Sequence, residues 1–138
     1  MPAANETVLR RFVDEVVNRG EFGSLEELVH DDYVYRSPGE EIRGRDGLAA
    51  LFGAYRGAFP DLRMEIDELV AAGDTTVMTF TLTGTHRGNL LGHAPTDRRF
   101  KIHGMIRSHF REGRITDEWE ILDQLGLFEQ LGLVGRTA

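Results

Sequence analysis

The side chains best suited to moving protons gather in the last third of the chain. His103, Arg107 and His109 stand at alternate positions with Met105 between them, and Asp117, Trp119, Ile121 and Asp123 follow with the same spacing. Imidazole and carboxylate groups take up and return protons at ordinary pH. A guanidinium offers positive charge to an oxygen that becomes negative during a reaction. Such groups cooperate only if they share a face, and a spacing of two does this on a β-strand.

Phe100 to Phe110 is rich in β-branched and aromatic residues and lacks proline. Arg111-Glu112-Gly113 interrupts it, and Arg114 to Asp123 resumes an extended pattern, so the spacing predicts a β-hairpin. A three-residue loop with Gly113 in the left-handed conformation pairs Phe110 with Arg114. That register sets His103, Met105, Arg107 and His109 beside Asp117, Trp119, Ile121 and Asp123. Apolar bulk mixed with polar groups suits a pocket wall. The opposite face carries Ile102, Ile106, Phe110, Glu118, Glu120 and Leu122. With no helix left to cover it, it is expected to be an interface. A two-residue loop at Glu112-Gly113 would instead pair Arg111 with Arg114, moving Trp119 and Asp123 to the side of Ile102, Gly104, Ile106 and Ser108.

The elements that must position this hairpin come first in the chain. Val8, Leu9, Phe12, Val13, Val16 and Val17 recur at helical spacing and predict a helix over Asn5 to Asn18. Ser24 and Glu27 form a capping-box pattern for a short second helix ending at Val29. Asp31 to Arg36 reads as a strand closed by Ser37-Pro38-Gly39. Asp46 opens a third helix with Leu48, Leu51, Phe52, Tyr55 and Phe59 on one stripe, stopped by Pro60. Leu62 to Ala71 and Thr75 to Arg87 are further strands, and Gly88 to Arg99 is a turn-rich loop. Helices followed by a run of antiparallel strands predict a single α+β domain over residues 1–138.

Composition removes several classes of function. The 138 residues include 23 acidic and 16 basic side chains, a net charge of −7, which argues against nucleic acid or an anionic membrane as partner. There is no cysteine for a thiolate, disulfide or sulfur metal site. The five histidines are not spaced as a ligand set, so no metal is expected. No phosphate-binding glycine loop, dinucleotide fingerprint or Gly-x-Ser-x-Gly elbow is present, so no cofactor is expected. No apolar stretch suggests a signal peptide or membrane span, so a cytoplasmic location is expected.

Gly104, Phe110 with Gly113 and Ile115, then Trp119, Asp123 and Gln130-Leu131-Gly132 form an ordered pattern. Together with Asp31-Asp32-Tyr33-Val34, Ile42-Arg43-Gly44-Arg45 and Phe59-Pro60-Asp61, it resembles the SnoaL-like polyketide cyclases of the NTF2-like superfamily. The resemblance implies a strongly curved sheet wrapped around three helices to leave a cone-shaped cavity. It implies an enzyme without a cofactor that closes a ring by intramolecular aldol condensation on a small hydrophobic carbonyl compound, with antibiotic biosynthesis as the setting. It puts the acid/base at Asp123 and a pocket position at His109. It also sets Arg36 where relatives carry a pocket histidine, and implies a homodimer or homotetramer. Asp123 fits a helix N-cap as well, and Arg107 and His109 each have Asp117 as a simple ion-pair partner. His103, Met105, Trp119 and Phe52 complete the expected pocket. The superfamily also holds epoxide hydrolases and isomerases, and a non-catalytic small-molecule-binding or oligomerisation domain is a further reading. Asp97 stands where relatives often carry glycine, which bears on the loop beside the pocket.

Overall fold

The structure, a computed structural model, describes residues 2–134. The first helix, α1 (Pro2–Arg11), runs on into a wider π-helical stretch, Phe12–Asn18, and Leu9, Phe12, Val13, Val16 and Val17 are all buried. Its end is tied down rather than left open. The Arg56 guanidinium donates to the carbonyls of Val17 and Asn18, both at 2.9 Å, and the Asn18 amide bonds both main-chain groups of Met64. A 3₁₀ turn, Phe22–Ser24, leads into α2 (Leu25–Leu28). Ser24 does not cap this helix; its hydroxyl donates to Glu15 at 2.7 Å.

The strands are β1 (Val29–Ser37), β2 (Glu40–Arg43), β3 (Arg63–Ala72), β4 (Thr75–Thr85), β5 (Arg99–Arg111) and β6 (Arg114–Leu122); α3 (Gly44–Ala58) follows β2 and α4 (Gln124–Gln130) follows β6. They form one open six-stranded sheet in the order β2-β1-β6-β5-β4-β3. Neighbours are antiparallel except β1 and β6, which run parallel. Strand β2 was not expected: its four residues are too few to show a period of their own.

The hairpin between β5 and β6 corrects the expected register in two steps. Its turn is the two-residue one: Arg111 pairs with Arg114, and Glu112 and Gly113 both take positive φ, 54° and 74°. A bulge then inserts Thr116, so that Phe110 faces Ile115 while His109 faces Asp117. The extra residue restores the parity that the turn had removed. His109, Arg107 and Met105 lie opposite Asp117, Trp119 and Ile121. The grouping of residues on each face is therefore the expected one, with partners displaced along the strand.

The expected roles of the two faces are reversed. Ile102, Ile106, Phe110, Ile115 and Glu118 are buried against the helices, and β4 adds Met78, Phe80 and Leu82 to the same side. The face carrying Met105, Trp119 and Ile121 is the outer one, with these side chains 52%, 40% and 48% exposed. The reason is area. The even-numbered positions of β4 and β5 supply Met78, Phe80, Leu82, Phe100, Ile102, Ile106 and Phe110, whereas the odd ones supply only Val77 and Met105. At about 25 cal/mol per Å² of apolar surface, the even side wins by many kcal/mol. Gly104 sits in that inner row because a Cβ there would stand 2.5 Å from the Phe80 ring.

Candidate active site

Three adjoining hollows lie along the inner face of the sheet, two of them walled on the other side by α3. The outermost, about 160 Å³, is bordered by Glu40, Leu51, Tyr55, Leu90, Leu91 and Gln124. A second, about 80 Å³, touches Tyr35, Ser37, Glu120, Leu122 and Gln124. The narrow inner end, about 20 Å³, is closed by Val17, Phe52, Met64, Leu82 and Glu120. Leu51, Tyr55, Gln124, Glu120 and Leu122 each border two of these hollows, so the three adjoin one another. The lining of the narrow hollow is apolar apart from Glu120 and Tyr55.

Two tyrosine–glutamate pairs form the polar part of this inner face. Tyr33 donates to Glu118 Oε1 at 2.6 Å, and Ser108 donates to its Oε2 at 2.5 Å. Tyr35 donates to Glu120 Oε1. The pairs follow from geometry: residues two apart on β1 and on its parallel neighbour β6 project to the same side, so Tyr-x-Tyr meets Glu-x-Glu. Burial pushes both carboxyls up to about 7, against the hydrogen bonds that favour their charged forms. Glu118 is fully enclosed, whereas Glu120 is half-buried and opens on the cavity. Burial, with the charges of Glu120 and Glu40 nearby, raises Tyr55 to about 12, so its hydroxyl stays protonated. A carboxyl near neutrality beside a neutral phenol in an apolar cleft can remove a proton next to a carbonyl and stabilise the resulting oxyanion.

The residues singled out from sequence divide between two places. Phe52 lines the inner cavity and meets Phe12 edge-on at 5.8 Å. His103, Met105, Arg107, His109, Trp119 and Arg36 lie on the outer face. Arg107 and His109 each bond Asp117 at 3.0 Å, and Arg36 bonds Glu41 at 3.0 Å. Asp123 is exposed at the start of α4 and accepts the Gly126 N–H at 2.9 Å, as an N-cap does. It borders an open outer hollow of about 370 Å³ with Asp67, His103, Met105 and Ile121. There Thr81 donates to Asp67 at 2.8 Å and contacts His103 Nδ1 at 3.2 Å. The tertiary fold thus separates Asp123 and the histidines from the enclosed space. Sequence reasoning missed Glu118, Glu120, Tyr35 and Tyr55. The matching i, i+2 spacing of Tyr33/Tyr35 and Glu118/Glu120 was the available signal.

Comparison with known proteins agrees with this architecture. Residues 7–131 match the family described as SnoaL-like polyketide cyclase. The aklanonic acid methyl ester cyclase DnrD of Streptomyces peucetius is 31% identical over 91% of this chain and 88% of its own length. The nogalonic acid methyl ester cyclase of Streptomyces nogalater is 30% identical over 83% of this chain and 88% of its own. The structure of TsrD from Streptomyces laurentii superposes with a TM-score of 0.87 at 28% identity, covering 97% of this chain and 98% of that one. The fold is NTF2-like, and the chain belongs to the SnoaL-like polyketide cyclase family.

Proposed function

We propose that this protein closes a ring in a polyketide-like carbonyl compound by an intramolecular aldol reaction in the inner cavity, with Glu120 as the acid/base. The observation that carries this reading is the position of Glu120. Among the described residues it is the one carboxyl on the deep cavity wall, held by Tyr35 and poised near neutral pH. The relatives named as methyl ester cyclases supply the reaction class.

In the ionised state Glu120 takes a proton from the carbon between two carbonyl groups, breaking a C–H bond and leaving an enolate. The enolate carbon attacks a second carbonyl of the same molecule, forming the C–C bond, and the protonated Glu120 returns its proton to the new alkoxide. Tyr55, protonated and facing the same space, donates to the enolate or alkoxide oxygen. The apolar walls hold the chain folded so that the two carbons meet. Tyr35 fixes the Glu120 carboxyl in place.

Asp123 as acid/base is the second reading, favoured by its position beside His103 in the outer hollow. Purified Glu120→Gln and Asp123→Asn, assayed for cyclisation of aklanonic acid methyl ester, separate the two. Loss of turnover in the first with near-normal turnover in the second supports the inner site. The opposite pattern overturns it.

The outer face supports assembly. Val77, Met105, Trp119 and Ile121 form an exposed apolar patch on neighbouring strands, and a homodimer pairing two such faces would cover it. A monomeric mass by light scattering at micromolar concentration would count against this.

A further inference from the structure

At the cavity mouth a two-residue turn holds a residue that the turn itself does not favour. Leu90 and His93 exchange both main-chain hydrogen bonds, Leu90 N–H to His93 O at 3.0 Å and His93 N–H to Leu90 O at 2.8 Å. The two residues between them have positive φ, 48° at Leu91 and 85° at Gly92. Such a turn takes asparagine, aspartate or glycine at its first central position. A branched apolar side chain in the left-handed region is an outlier that costs free energy. Asn89 reinforces the turn by accepting the Gly92 N–H at 3.0 Å, so the conformation is imposed by its surroundings.

Nothing in the protein's own packing accounts for leucine at this place. Leu91 is 80% exposed, the most exposed large apolar side chain among the described residues, while its neighbour Leu90 is buried. Yet Leu91 borders the outermost hollow, across from Leu51, Tyr55 and Gln124 on α3 and α4. Backbone strain and exposed apolar area at one residue bring the folded chain no gain until something covers that residue. We propose that Leu91 is a substrate-contacting lip residue, a specificity determinant that closes over the apolar part of a ligand seated in the inner cavity. The inference rests on the inner cavity being the ligand site and adds which mouth residue grips the ligand. The ligand it selects has a flat or branched hydrocarbon portion reaching the mouth, while its reacting carbonyls lie deeper, beside Glu120 and Tyr55.

The test uses the whole protein and the anthraquinone emodin as probe, with binding followed by calorimetry and stability by thermal melting. Leu91→Asn suits the turn better and removes the apolar contact. It is expected to raise the melting temperature by a few degrees and to weaken emodin about tenfold. Leu91→Met, which keeps apolar bulk, should bind within about threefold of the parent. Ala54→Trp, which fills the mouth from α3, reports on the cavity itself and should weaken binding by more than tenfold. If Leu91→Asn binds emodin as tightly as the parent while Ala54→Trp does not, Leu91 is no lip residue and the proposal falls. If Leu91→Asn loses affinity together with melting temperature, the side chain is structural and the proposal also falls. If the parent shows no saturable binding, or Ala54→Trp binds normally, the cavity is not the ligand site, and both this inference and the reading beneath it are overturned.

Discussion

The inner and outer faces of β5 and β6 hold similar side chains under opposite conditions. On the outer face Asp117 lies between Arg107 and His109, two polar partners at 3.0 Å, with solvent alongside. Such pairs contribute about 0–1 kcal/mol each and answer to salt. On the inner face Glu118 and Glu120 meet only hydroxyl groups, from Tyr33, Ser108 and Tyr35. Neutral donors bond both oxygens of Glu118 and one of Glu120 without cancelling the charge, and burial then lifts both carboxyls to about 7. An outer carboxylate neutralised by a guanidinium is a structural clasp. An inner carboxyl held by phenols can exchange a proton with a ligand.

Kinetics provides the largest expected difference between the faces. Glu120→Gln should lower kcat by about 10²–10⁴-fold, the usual consequence of removing a general acid/base. Asp123→Asn, which keeps a cap acceptor, should stay within about threefold of the parent. Comparable losses in both variants would erase the distinction between the faces.

The pH profile sharpens the same comparison. A base must be unprotonated to act, so kcat/KM should fall on the acid side of the Glu120 value of about 7, about tenfold per pH unit. A profile flat down to pH 5 would deny Glu120 the role.

Stability separates the faces less widely. Ile106→Ala removes a side chain only 5% exposed and should cost about 2–5 kcal/mol, read as a lower urea midpoint. Met105→Ala, one residue away but outward, should cost under about 1 kcal/mol in dilute monomer. Equal losses would show that the outer face is packed as tightly as the inner one.

The element order apart from β2, the α+β class, the hairpin and the sorting of residues into two sets were readable from the chain. Each rests on local properties: helical spacing in Val8 to Val17, alternation in β5, and turn residues within Arg111-Glu112-Gly113. The family likeness rested on the order of short motifs along the whole length. What only the tertiary structure decided was which set faces inward. Alternation is symmetric, so a single hairpin does not state which side is buried. Glu118 and Glu120 read as part of an uncovered interface face because their hydroxyl partners on β1 lie 85 residues earlier in the sequence. The bulge at Thr116 was equally hidden, since a wrong turn and an uncounted residue cancelled in parity. Burial is settled by apolar area summed over β4, β5 and the helices together, and that sum exists only once the chain is folded.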